Sequence, residues 1–152
     1  VVLMRTKNTL LILLITLFCA SNANSRETFA SCGGSNGYTY YVLGGFVSES
    51  AAGYTKDAIQ DGTIQFTHAD YKDWDVVQID GFKKPYSAKG NGGSVTFVGG
   101  TENGFNIMVF YPTDTIEVYT LRPLTNEVTW VQSKSNSQMS KATVMKANCL
   151  FQ

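Results

Sequence analysis

The sequence predicts an all-β domain: an antiparallel up-and-down meander of seven or eight strands that closes into a small barrel or a strongly bent sandwich. Three observations carry that expectation. Short runs rich in β-branched and aromatic residues recur along the chain, each bounded by Gly, Pro, Asn or Asp. Fourteen glycines, three prolines and no visible repeat or heptad run suit strands joined by tight turns. Cys32 and Cys149 stand near the two ends of the predicted domain, where a bridge between the first and last strands of a closed sheet would fall.

In chain order, Met4, Arg5 and Lys7 precede an apolar run over residues 10–20, and Ser21, Asn22 and Ala23 place small residues where a signal peptidase reads. The expectation is a signal peptide over residues 1–23, cleaved after Ala23, followed by a single β-barrel domain over residues 24–152. The run is shorter than the roughly 20 apolar residues that span a bilayer, so no membrane anchor is expected after cleavage. Lipid attachment at Cys19 is disfavoured by the bulky Phe18 before it. The destination is periplasmic or secreted, and there Cys32 and Cys149, the pair left after cleavage, are expected to form a disulfide.

Residues 24–37 read as a loose leader pinned by that disulfide, and residues 38–47 as the first strand, bent at Gly44 and Gly45. Residues 55–60 read as one or two helical turns, begun by a Thr55 cap and stopped by Asp61 and Gly62. A hairpin of residues 63–69 and 74–80 follows, with Asp70 opposite Asp73, so that Phe66 meets Val77 and His68 meets Asp75. Residues 82–88 make a weak strand broken by Pro85, residues 90–93 a turn, residues 94–98 a strand, residues 99–104 another turn, and residues 141–149 the last strand.

The centre of the chain is the meander of residues 105–133. Pairing Tyr111 with Ile116 gathers Ile107, Val109 and Val118 on an aliphatic face, and pairing Arg122 with Glu127 adds Thr129 and Val131 to it. The other face then holds Met108, Phe110, Tyr119, Leu121 and Trp130 with Asn106, Glu117 and Gln132. Two apolar faces imply cover on both sides. A register shifted by one at the first turn would set Glu117 among the aliphatics, and is disfavoured for that reason.

Composition narrows the function classes. Charged residues are 16% of the chain against about 25% in an average soluble protein. Without Arg5 and Lys7 the domain carries a net charge of −2, and Lys83–Lys84 is its one adjacent basic pair, so nucleic acid is not an expected partner. His68 is the single histidine and no serine lies in a G-x-S-x-G turn, so nucleophilic catalysis lacks its parts. A carboxylate pair working as acid and base stays open, as in glycosidases. His68, Asp70, Asp73 and Asp75 share one face in the hairpin register and form the candidate metal site, with a solvated acidic turn as the plainer reading. Residues 90–93 have the glycines of a phosphate loop without its Lys-Ser/Thr. No cofactor is expected.

Met108, Phe110, Tyr119 and Trp130 are the candidate ligand or partner residues. They make core, the lining of a cavity, or an exposed patch for another protein.

The chain resembles a group of small exported proteins of Gram-negative bacteria. The shared features are Ser31–Cys32–Gly33 near the mature start, Tyr111–Pro112 followed by Glu117 to Tyr119, Trp130 to Gln132, and Cys149 at the close. That resemblance implies export and no particular activity. In strand number the chain is also similar to the lipocalin-like (calycin) barrels, which implies a carrier of small apolar ligands, and in size and disulfide use to bacterial lysozyme-inhibitor barrels. The functional expectation is an exported non-enzymatic binding protein for a small apolar ligand. The alternatives are a protein-interaction module or inhibitor with an envelope protein as partner, and a small hydrolase using a carboxylate pair.

Overall fold

The computed structural model describes residues 25–152, so the expected signal peptide and its cleavage site lie outside the described residues. Among the described residues eleven strands form one antiparallel sheet curled into a half-barrel, in line with the predicted class though with more strands than counted from sequence. Five of them, β7 (Ser94–Thr101), β8 (Gly104–Tyr111), β9 (Thr115–Arg122), β10 (Glu127–Lys134) and β11 (Lys141–Phe151), run as an up-and-down meander. Across β11 the sheet continues through β1 (Glu27–Cys32), β4 (Thr63–His68), β5 (Trp74–Ile79) and the short edge strand β6 (Pro85–Ser87). The first and last strands are neighbours, and the disulfide links Cys32 and Cys149 where they face each other across the β1–β11 ladder.

A branch sets this sheet apart from a plain meander. β2 (Ser35–Tyr41) follows β1 almost without interruption and takes over its place beside β11, pairing with residues 141–146 of β11 while β1 pairs with 149–151. β3 (Gly53–Ile59) pairs with β2 as β4 pairs with β1, and β3 also runs almost directly into β4. Two doubled strands therefore kink side by side, one at Gly33–Gly34 and the other at residues 60–62. The crossing is tight enough to dictate sequence: a Cβ on Gly34 would lie 2.5 Å from the Gln60 carbonyl oxygen, which backbone cannot yield.

Several expectations need correction. The supposed leader contains β1 and the start of β2. β1 is wedged between β4 and β11 with Ala30 and Cys32 wholly buried, and its small side chains gave no strong strand signal. Residues 55–59 of the supposed helical turns belong to β3, an edge strand exposed over most of its length, which hides the period-2 pattern. β2 ends at Tyr41, six residues before the predicted end of the first strand, while Gly44 and Gly45 do turn the chain, with φ of 121° and 60°. Gly99 and Gly100 lie inside β7 at a bulge rather than in a turn.

Two registers differ by one residue. In the β4–β5 hairpin Phe66 faces Val76 and His68 faces Trp74. The Ala69 N–H donates to the Asp73 carbonyl, while Asp70 Oδ1 accepts from the N–H groups of Lys72 and Asp73. These bonds build a longer loop than a two-residue turn. In the β8–β9 hairpin Tyr111 faces Thr115 and Val109 faces Glu117, the very register that looked unfavourable. Glu117 is accommodated inside because the Tyr119 hydroxyl donates to Oε2 at 2.8 Å and Gln132 Nε2 donates to Oε1 at 2.7 Å. The β9–β10 register is as expected, with Arg122 opposite Glu127.

The core lies on the concave face, where the two arms of the sheet meet. The Phe66 ring packs edge-on against Tyr119 at 5.3 Å, and Phe29 against Phe105 at 5.5 Å, with Trp74 and Phe97 continuing the contact. Ile107, Val109, Leu121, Val128 and Met145 fill the space behind them.

Candidate functional site

The double kink parts the β2–β3 pair from the β1–β4 pair and leaves a partly open cleft of about 230 Å³ on the concave side. Gly33 and Ser35 come from the first kink, and Gly62, Thr63 and Ile64 from the second. Ile79 and Tyr86 extend the apolar wall, and Trp130 reaches in from β10. Gln78 and Asp80 are the remaining polar members.

Two residues of the wall carry a polar atom that no protein group partners. Trp130 is 5% exposed and its indole Nε1 has no hydrogen-bond partner; Ser35 is 4% exposed and its Oγ has none either. Among the described residues three buried side-chain polar atoms lack a protein partner, two of them on residues of the cleft wall but sealed from the cleft space, the third being His68 Nδ1. Trp74 shows the ordinary arrangement, its indole N–H donating to the Tyr71 carbonyl at 3.1 Å.

Gln78 ties the cleft to a bonded chain behind it. Its Nε2 donates to the Tyr119 hydroxyl at 3.0 Å, that hydroxyl donates to Glu117, and Gln132 donates to the other Glu117 oxygen. Burial holds the Tyr119 hydroxyl well above the usual tyrosine range, with the neighbouring Glu117 charge adding to it. Tyr111 on β8 is pushed up to about 12, again by burial first and then by Glu117 and Asp75. Asp75, also buried, accepts from Ser87 Oγ at 2.6 Å and from the N–H groups of Val76 and Lys89. Neither buried carboxylate lines the cleft.

Of the four residues expected to share an aromatic face, the structure keeps two together. Tyr119 and Trp130 point inward with ring centres 5.9 Å apart, Tyr119 as sealed core and Trp130 as cleft wall. The one-residue register change puts Met108 and Phe110 on the outer face. That outer face is largely apolar over two cross-strand rows, broken by Ser133 in the first and ending in Lys56 in the second. Tyr54, Tyr40, Ile116 and Phe110 lie in one, and Tyr38, Val144, Val131 and Met108 in the next. Tyr54 is the most open of them at 83% exposure.

The four candidate metal residues are not gathered on one face. His68 packs inward against Trp74, ring centres 4.9 Å apart, and against Phe29. Asp75 leaves the opposite side of the sheet toward Ser87, Asp70 caps its own loop, and Asp73 is paired with Arg26 at 2.8 Å and with Lys89. Those hydrogen bonds, Lys89 first, hold the Asp73 carboxyl below its ordinary value. Among the described residues no group of three or more potential ligands stands together.

Sequence reasoning singled out Trp130 but missed Ser35, Gln78 and the isoleucines around them. The available signals were the glycines flanking them, Gly33–Gly34 and Gly62, which mark both kinks. The disulfide is consistent with a non-cytoplasmic location, and among the described residues no helix is long and apolar enough to cross a membrane. No protein-family model, curated protein or solved structure matches the chain.

Proposed function

We propose that the chain is an exported, non-enzymatic binding protein that holds a small apolar ligand in the cleft at the double kink. One observation carries this reading: an apolar, partly open cleft of about 230 Å³ at the double kink, lined by Ile59, Ile64, Ile79, Tyr86 and Trp130 with Gln78 and Asp80 as polar members. Concave apolar sites with a few converging polar groups are the usual form of small-molecule pockets. At about 230 Å³ the space lies below the roughly 300–1,000 Å³ of drug-sized sites, so the ligand is small. Export to the periplasm or the medium belongs to the reading, supported by the disulfide and by the apolar run at residues 10–20.

A fluorescent amine, 1-aminonaphthalene, tests it. The expected result is saturable binding at about one molecule per chain, with quenching of tryptophan emission, and loss of binding in Ile79→Trp, which enlarges a wall side chain. Absence of saturable binding, or binding indifferent to Ile79→Trp, overturns the reading.

The outer apolar face favours a second reading, a protein-interaction module whose occupant is a second copy of the chain. Two rows about 7 Å apart across six strands at about 4.8 Å give a footprint on the order of 400 Å², about half of the roughly 800 Å² each partner contributes to a standard interface. Size therefore ranks it second, and sedimentation of the same samples as a monomer removes it. A hydrolase built on Asp75 and Glu117 ranks third, since both carboxylates are occupied by internal hydrogen bonds.

A further inference from the structure

We infer that the ligand of this cleft carries an ammonium group on its apolar body, received by the Asp80 carboxylate and the Gln78 amide oxygen. The inference rests on the cleft being a ligand site and adds the charge that selects the ligand. Gln78 and Asp80 stand two positions apart at the end of β5, the step that returns a strand to the same face, and both line the cleft. The Tyr119 hydroxyl has given its proton to Glu117, so it accepts from Gln78 Nε2, and that bond fixes the amide with Oε1 as its free end. Oε1 accepts no hydrogen bond from the described residues, and Asp80 is arranged alike: Oδ1 takes the N–H groups of Phe82 and Lys84, and Oδ2 takes none. Neither free oxygen is sealed, in contrast to Trp130 Nε1 and Ser35 Oγ. Both accept and cannot donate, so the group that complements them is a donor, while the hydroxyls of Thr63 and Tyr86 adapt to either kind of partner.

Charge narrows the donor to a cation. No Lys, Arg or His lines the cleft, and among the described residues Asp80 belongs to no salt bridge. Asp61 brings a second carboxylate close to it, since its Cβ lies 3.5 Å from where a Cβ on Gly81 would stand. Lys83 and Lys84 on the same loop are exposed to water, Lys84 with its Nζ 5.3 Å from the centre of the Tyr86 ring, and neither is paired with Asp80. An anionic head group would meet Asp80 with no cation in the wall to offset it, whereas an ammonium finds there a counter-charge and a charge-assisted hydrogen bond, roughly twice as strong as a neutral one. Ile59, Ile64, Ile79 and Trp130 offer the rest of the ligand an apolar wall.

One bicyclic body in three charge states separates this inference from the reading beneath it. At neutral pH 2-aminoindane is a cation, indane is uncharged and indane-2-carboxylate is an anion. Isothermal titration of each into the disulfide-bonded protein, with displacement of bound 1-aminonaphthalene as a second readout, gives their order. The expected result is 2-aminoindane about tenfold tighter than indane, with the carboxylate weakest. Asp80→Asn removes the charge and keeps an oxygen for the N–H groups of Phe82 and Lys84, so it should bring 2-aminoindane to within about twofold of indane while indane itself binds as before. The Asp80 carboxyl carbon resonance, followed by NMR in the parent and so independent of any variant, moves on titration with 2-aminoindane and stays in place with indane. Equal affinities for the amine and indane, a preference that survives Asp80→Asn, or an unmoved Asp80 signal overturns the inference and leaves the cleft as a purely apolar site; failure of indane and 2-aminoindane alike to bind overturns both.

Discussion

Gln132 and Trp130 leave β10 two residues apart on the same face, yet only Gln132 finds a partner. Around Gln132 the interior is a closed polar chain: Gln132 and Tyr119 both donate to Glu117, and Gln78 donates to Tyr119. Around Trp130 the interior opens into the cleft, and the indole and the Ser35 hydroxyl are left without partners. The first region shows that this fold can satisfy even a buried carboxylate. Incomplete bonding is not confined to the second, since His68 Nδ1, packed against Trp74 and Phe29, also lacks a protein partner. An unpaired buried group costs about 1–3 kcal/mol, so two of them are a sizeable fraction of the roughly 5–15 kcal/mol that stabilises a domain.

The boundary between the two regions is fixed by the disulfide, one residue before the first kink. Its loss should have the largest effect on the comparison. Closing a loop of sequence separation 117 restricts the unfolded chain by about 4–5 kcal/mol in the chain-entropy account. Cys32→Ser with Cys149→Ser is expected to lower the unfolding free energy in urea by about that amount, less any native strain. A drop of under about 1 kcal/mol would mean that the β1–β11 ladder holds the kink without help.

The next effect lies inside the closed chain. Tyr119→Phe removes the hydroxyl that donates to Glu117 and accepts from Gln78, leaving two buried partners short, and should cost roughly 1–3 kcal/mol. Alkaline titration supplies a second readout. Burial raises the pKa of Tyr111 and of Tyr119 above the unfolded value near 10, so the folded state keeps protons that the unfolded chain releases. Their contribution to stability is complete below pH 10 and is lost as pH rises from 10 through about 12, the Tyr111 value. In Tyr119→Phe that alkaline loss should be shallower. An identical loss in both proteins would assign it to other groups.

How far the comparison could be read from sequence differs between its halves. The disulfide followed from parity, and the β9–β10 register from the turn at Pro123, where Asn126 adopts the left-handed φ of 54° that the turn requires. Glu117 was misplaced because a charge among aliphatics looks forbidden until its partners are known. One of those is two residues away and the other fifteen, on the next strand. Trp130 stood out as a large aromatic on an apolar strand. Ser35 and Gln78 did not, since the cleft arises from which strands pair after each kink, and pairing is not written in the local pattern of either segment.

The smallest expected effect is the most discriminating. In a core that tolerates no orphans, replacing a buried serine by alanine removes a hydrogen bond and destabilises; where the hydroxyl has no partner, the same change removes only its desolvation cost. Ser35→Ala should therefore leave the unfolding free energy within about 0.5 kcal/mol of the parent or raise it, in contrast to the loss in Tyr119→Phe. A ligand-free Ser35→Ala protein that loses stability on the scale of Tyr119→Phe would show that Oγ is already bonded in solution, for instance by an enclosed water. The two regions of the interior would then be alike in how fully their polar groups are bonded.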